Sequence, residues 1–377
     1  MGNIEWLIEN GGPTIRLRMM NEGLIDKDSY DVNQLVDELL QIEKVRTALT
    51  YFDKFKDFIS MPDNKLYAYI HNGYEDCFEM FMPFLTRLGF RTGIAILDEK
   101  VEYMRDVYLY LTTPNDSGEL HWSHIHGLTI ILYLLEAGYY NHDMLDYMTS
   151  RINEWHKIAE MQEFEFYETD PSKIRRRPKI WEDLPVLKDI HNCEIGEVPL
   201  PTNYSVMGMI YLYKYIKSEE TKKKIDDIVK YIFDPRYQKT HGYYGIHWSE
   251  ENKAYHTSAG GVCLPFYESD YLLENDKFSF LNTINMMSYS PVALNSEWFG
   301  KCMFFLEQYK TERGTYIFPN DFFYHTFVRP ANTDVVYNAY ISKDVLPKIK
   351  KGERRTLALE LISTFFILLM KKRMEDY

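Results

Sequence analysis

An all-α fold with a minor β-hairpin is predicted for this 377-residue chain by three observations. Apolar residues recur at helical spacing through most of its length, the stretches are bounded by residues that start or stop helices, and the connections between them are short. From Val32 to Phe55, the positions Val32, Leu35, Val36, Leu39, Ile42, Val45, Leu49 and Phe52 share one helical face. Similar patterns cover Glu75–Leu88, Lys100–Leu111, Ser123–Ala137, Asp143–Ile158, Tyr204–Ile216, Glu219–Phe233, Ser290–Tyr309 and Arg354–Arg373. Roughly ten to twelve helices joined by connections such as Lys217-Ser218 imply antiparallel helical hairpins, stacked as a solenoid or closed as a ring. No fixed-period repeat is visible, which favours the ring.

Taken in order, Asn3–Glu9 predicts a short helix stopped by Asn10-Gly11-Gly12-Pro13, with glycine in a left-handed cap. The following Thr14-Ile15-Arg16-Leu17-Arg18 reads as extended, so Arg16 and Arg18 would share a face. They form either surface ion pairs or an anion clamp beside the glycine turn. His71-Asn72-Gly73-Tyr74-Glu75-Asp76 leads into a helix carrying Phe78, Phe81 and Phe84. Its acids suit the helix dipole, and the functional alternative pairs His71 with Glu75 or Asp76 for proton transfer at a pocket mouth. His121, His124 and His126 are the densest histidine group and stand just before a helix, with Ser123 as its cap and the histidines in a loop. Imidazoles are common zinc ligands, but no neighbouring carboxylate or cysteine completes a recognisable set, so no metal is assigned.

Residues 164 to 201 carry Pro171, Pro178, Pro185, Pro199 and Pro201 and break the helical pattern. Phe164, Phe166, Tyr167, Trp181 and Leu184 are too apolar for a free linker, so the excursion is expected to pack as a belt over a single domain spanning 1 to 377 rather than to divide it. Asp234-Pro235 ends one helix, and Ser290-Pro291 forms an N-cap and first-turn pair. Lys371-Lys372-Arg373 complements the dipole of the last helix.

The stretch His241–Pro265 stands apart, with aromatics, three histidines and paired glycines. Tyr243–Trp248 and Lys253–Thr257 are rich in β-formers around a polar Ser249-Glu250-Glu251-Asn252, which predicts a short hairpin. Either it is a tyrosine-packed connection, or Tyr244, His247, Trp248, Tyr255 and His256 face a ligand as a lid or pocket wall.

Composition narrows the function classes. Lys plus Arg number 43 against 56 Asp plus Glu, and a net charge of −13 argues against a nucleic-acid or anionic-membrane surface. The basic runs Lys173–Lys179 and Lys348–Arg355 are short and read as solvated. Cys77, Cys193, Cys263 and Cys302 form no C-x-x-C pair, so reduced thiols are expected rather than a disulfide framework. No secretory leader pattern is present, and the apolar run Thr356–Met370 is short and contains Glu360, so a cytoplasmic protein without a transmembrane segment is expected. Phosphate-loop, dinucleotide and G-x-S-x-G motifs are missing, and no cofactor is indicated.

The segments ENGGPTIRLR, VPLPTNYSVMGMIYLY, YIFDPRYQ and GYYG together make the chain resemble uncharacterised bacterial proteins related to the terpenoid-cyclase and prenyltransferase α/α-toroid class. The resemblance implies an α/α toroid of helical hairpins around a central pocket. It implies less about activity, because one scaffold hosts unrelated chemistries. The proton-donor Asp-x-Asp-Asp of one cyclase class does not occur, and only Asp226-Asp227 approach the Asp-rich pattern of the other. The prenyltransferase Asp-x-Cys is replaced by adjacent Asp76-Cys77, and Cys193 is followed by Glu194 rather than by the histidine of toroidal lanthionine cyclases. The resulting expectation is a protein that binds or transforms an apolar or isoprenoid-like small molecule, with Arg16, Arg18, Tyr204, Tyr244, His247, Trp248, Tyr255 and His256 at the ligand and His71, Glu75 and Asp76 as catalytic candidates. The alternatives are a carbohydrate-active toroid, with Trp181, Trp248 and Trp298 near acids such as Glu75 or Asp270, and a non-catalytic helical scaffold.

Overall fold

The computed structural model describes residues 2–72, 76–113, 120–188, 200–240, 244–248, 253–257, 259–267, 271–323 and 333–376. They are mostly helical, with one small two-stranded sheet. The chain divides into two compact units: Met1–Met104 with Glu136–Tyr139 and Glu274–Tyr377, and Arg105–Leu135 with Tyr140–Leu273. The proline-rich excursion lies inside the second unit. Among the described residues no helix is long and apolar enough to cross a membrane.

The first unit is built on its last helix, Arg354–Asp376, which packs against the helices Asn3–Asn10, Pro13–Asn21 and Thr333–Asn338. Its polar side chains in the core are used locally. Ser363 and Thr364 hydroxyls accept the backbone N–H groups of Phe318 and Tyr316, each at 2.9 Å, so buried peptide groups are satisfied without water. Glu360, buried, accepts from Arg313 and Thr315.

The turn that joins the first two helices differs from the sequence expectation in an instructive way. Gly11 is extended (φ −72°, ψ 131°) rather than left-handed, and Pro13 begins a helix instead of only ending one, because its fixed φ and missing N–H suit a first helical position. Glycine is required by close packing. A Cβ on Gly12 would lie 2.5 Å from the carbonyl oxygen of Ile341 and 2.7 Å from that of Ala339. The Gly12 N–H donates to Tyr340 O at 2.8 Å, and Ser342 N–H donates to Asn10 O at 2.8 Å, which ties residues 339 to 342 across the turn.

The long pattern from Val32 is divided into Val32–Leu40, Glu43–Tyr51 and a short 3-10 turn Phe52–Phe55. The apolar stripe continues across the break, with Ile42 buried, but its halves serve different neighbours: the first packs on Pro13–Asn21, the second on Phe78–Arg87. Ser290 caps its helix through Ala293 N–H with Pro291 in the first turn, as the sequence predicts.

In the second unit, His142–Met161 packs against Glu219–Ile232 and Asn203–Leu212. The predicted hairpin forms from Ile246–Trp248 and Ala254–His256, antiparallel, with His247 opposite Tyr255. The excursion lies alongside it: Ile246 N–H donates to Pro185 O and Leu187 N–H to Ile246 O, both at 2.9 Å. Gly245 is obligatory there, since a Cβ would sit 2.1 Å from Pro185 O. Val186, Ile246 and Trp248 form a small core that Ile174, Trp181, Leu184 and Ala254 cover, so these apolar residues of the excursion pack locally against the hairpin.

Candidate anion site

Arg18 lies in the helix Pro13–Asn21, not in an extended segment, so the expectation that it shares a face with Arg16 is corrected. Residues two apart on a helix point to nearly opposite sides. Arg16 lies over the Tyr30 ring at 4.7 Å, and its Nη2 is 3.5 Å from Ser342 Oγ. Arg18 lies over the Phe365 ring at 4.3 Å and makes no ion pair or side-chain hydrogen bond among the described residues.

Around Arg18 the first unit gathers a set of charges from distant parts of the chain. Glu22, one turn further on, is the hub of one side: Arg91 binds one carboxylate oxygen and Arg373 the other, the latter at 2.9 Å. Arg373 is buried, lies 3.8 Å over the Tyr289 ring, and donates to Tyr289 Oη at 2.6 Å and to Ser288 Oγ. Burial alone would raise the Glu22 carboxyl, but the Arg91 and Arg373 guanidinium groups prevail and hold it at about 2. Burial likewise works against charge on Arg91 and Arg373, and Glu22 and Tyr289 together raise both above the ordinary arginine value.

The other side lacks such closure. Glu136 is within electrostatic range of Arg87, Arg91 and Arg18, and Tyr340 of Arg18 and Arg87. Neither Arg87 nor Glu136 makes an ion pair or side-chain hydrogen bond among the described residues; Arg87 rests 4.7 Å over the Phe278 ring. Burial pushes the Arg18 guanidinium down and the Glu136 carboxyl up. Yet Arg18, Arg91 and Glu136 each retain partial solvent exposure. These groups are largely surrounded by protein and keep some contact with solvent. Arg18, Arg87 and Arg91 lie within electrostatic range of Glu136, and arginine forks match carboxylate and phosphate oxygens in pairs.

The remaining sequence candidates fall elsewhere. His71 is paired with Glu79 rather than with Asp76, which is exposed; Glu75 lies outside the described residues. The hydrogen bond to Glu79 raises the His71 imidazole. In the second unit, Tyr244, His247, Trp248 and Tyr255 are buried. Tyr244 and Tyr237 hydroxyls lie 2.9 Å apart and both reach Pro201 O at 3.2 Å. His247 stacks on Tyr255 at 5.8 Å, and half-buried His256 lies 6.0 Å from Trp181, its imidazole lowered by burial. Tyr204 is half-buried in the first turn of Asn203–Leu212. His71 and Asp76 belong to the first unit and this aromatic set to the second.

The histidine group is also corrected: His121, His124 and His126 stand inside the helix Leu120–Glu136, not in a loop before it. His126 Nδ1 contacts Trp122 O at 2.6 Å, and His124 stacks on Tyr147 at 6.0 Å. The side chain of His121, and Cys193 and Asp270, lie outside the described residues. Among the described residues no three His, Cys, Asp or Glu side chains are grouped to hold a metal, and Cys77, Cys263 and Cys302 are free thiols.

Sequence reasoning singled out Arg18 but missed its setting, because Glu22, Arg87, Arg91, Glu136, Tyr289 and Arg373 are spread over the chain. One signal was available. Arg373 continues the buried stripe of Leu359, Ile362, Phe366 and Met370 at helical spacing, so it belongs to the packed face and not to the solvated helix end. No family model, curated protein or solved structure matches the chain.

Proposed function

We propose that the first unit binds a small organic anion, its carboxylate or phosphate head held by Arg18, Arg87 and Arg91 and its apolar part against Phe365, Phe278 and Tyr340. The observation that carries this reading is Arg18, a guanidinium lying over an aromatic ring with no anionic partner at ion-pair distance among the described residues. A charge in that position costs stability unless something compensates it, and an anionic ligand does so. Glu22 holds Arg91 and Arg373 in place, which prepares the site before the ligand arrives. The isoprenoid-like ligand suggested by the resemblance is one member of this class, since a prenyl diphosphate joins an anionic head to an apolar tail. The α/α-toroid arrangement belongs to the same proposal and is supported by the helix-on-helix packing within each unit.

The test is thermal unfolding in inorganic phosphate or geranyl diphosphate against chloride at matched ionic strength. A ligand present at about 100 times its dissociation constant stabilises the folded state by about 2.7 kcal/mol. Wild-type protein should be stabilised and Arg18→Leu should not. If neither ligand moves the wild-type transition beyond chloride, the proposal fails.

A further inference from the structure

The basic run at residues 348 to 355 belongs to the strap that leads into the last helix of the first unit. The strap is fixed at its start: the Val345 and Leu346 N–H groups donate to Ser342 O at 3.0 and 2.8 Å, and Lys348 N–H to Val345 O at 2.9 Å. It then forms the 3-10 turn Lys351–Glu353, closed by Glu353 N–H on Lys350 O at 2.9 Å. Lys348, Lys350, Lys351 and Arg355 are exposed, and half-buried Arg354 keeps its Nε without an acceptor. Among the described residues none of these five side chains makes an ion pair or a side-chain hydrogen bond; Arg355 lies 5.6 Å over the Tyr337 ring. At the other end of the same helix the cations are matched, Lys371 with Glu307 at 3.2 Å and Lys372 with Asp376 at 2.6 Å. Arg354 and Arg355 in the first turn also oppose the helix dipole, so they do not serve the stability of the helix.

We infer that this strap is a peripheral docking surface for a bilayer containing anionic phospholipid. Its five cations stand against Glu353 as the one acid within the run, with exposed Asp344 the next acid before them. Apolar residues are interleaved with the lysines: Pro347 is exposed, and Leu346 and Ile349 are half-buried. That mixture suits the boundary between headgroups and acyl chains, where cations meet lipid phosphate and apolar side chains leave water. Lysines with no fixed partner attract a sheet of negative charge rather than gripping one oxyanion, which favours a lipid surface over a single phosphate. A Cβ at Gly352 would have no atom within 4 Å, so the strap is open to a broad partner. Residues 346 to 355 contain no aromatic ring on which a base could stack, which favours lipid over single-stranded nucleic acid. The net charge of −13 belongs to the whole chain. Exposed charges are screened beyond about 8 Å at physiological ionic strength, so the local surplus decides the contact.

The test is co-sedimentation of the full chain with vesicles of phosphatidylcholine alone and of equimolar phosphatidylcholine and phosphatidylserine. Wild type should bind the mixed vesicles and not the neutral ones, and added salt should release it. Lys348→Gln, Lys350→Gln and Lys351→Gln should each lower partitioning about fivefold, and about a hundredfold together. Lys371→Gln with Lys372→Gln, which removes two cations from the other end of the helix, should leave binding unchanged. The wild-type comparison of neutral and anionic vesicles needs no variant, so a misfolded variant would leave it decisive. Failure of wild type to bind the mixed vesicles overturns the docking surface, as does binding that survives loss of the three strap lysines. Binding of short single-stranded DNA or polyglutamate by a wild type that ignores both vesicles overturns the choice of lipid as the partner.

Discussion

Replacing Glu22 by glutamine removes the carboxylate on which Arg91 and Arg373 converge. Its carboxyl is held at about 2 against an ordinary value of 4.5, burial opposing and the two guanidinium groups prevailing. That difference corresponds to about 3 kcal/mol of preferential stabilisation of the folded, ionised state. Because the folded value lies below the unfolded one, the contribution is complete above pH 4.5 and is lost as the pH falls towards 2. Glu22→Gln also leaves two buried guanidinium groups without their anion, so at pH 7 the first unit should lose about 3 to 5 kcal/mol. Urea unfolding, followed from pH 2 to pH 7, measures both effects without adding salt. The variant should be less stable at pH 7 and should lack the acid limb between pH 4.5 and 2 that the wild type shows. Phosphate should rescue the variant more than it stabilises the wild type, since more positive charge is left uncompensated. A loss below about 1 kcal/mol, the worth of an exposed pair, together with an unchanged acid limb would refute the reasoning.

Arg18→Leu should act in the opposite sense: without added anion it removes an uncompensated buried charge and should raise stability by about 1 to 2 kcal/mol in thermal unfolding, as replacing buried ionic groups by apolar ones often does. Gly12→Ala drives a Cβ into the Ile341 and Ala339 carbonyls and should cost about 1 to 3 kcal/mol, a fall in Tm of a few degrees measured by calorimetry. The His71 imidazole should titrate above 6.5 by NMR, and Glu79→Gln should lower it. Its folded value is raised, so the pair's stabilisation is present below pH 6.5 and is lost as the pH rises through the folded value.

The helices were legible because their apolar stripes and caps are local signals, as at Glu219–Ile232 with its Ser218 cap. The break at Gln41-Ile42 was not, since neither residue stops a helix by itself and the bend comes from packing the two halves on different neighbours. Pro13 misled for a related reason: the same residue that cannot continue a helix is well suited to begin one. The hairpin was visible in its β-formers, and burial of Tyr244, His247, Trp248 and Tyr255 shows how an aromatic cluster reads alike whether it packs or binds. The charged cluster was legible only at Arg18. Its other groups are brought together by tertiary structure, with Glu22 and Arg373 separated by 351 positions, and no spacing rule connects residues at such distance.

The account rests on an anion lying among Arg18, Arg87 and Arg91. Crystals grown without phosphate or sulfate and soaked in arsenate, a protonatable phosphate analogue, test this through the anomalous scattering of arsenic. A peak within hydrogen-bonding distance of the Arg18 guanidinium is the predicted result. Ordered arsenate elsewhere on the protein, with none among these arginines, would contradict it.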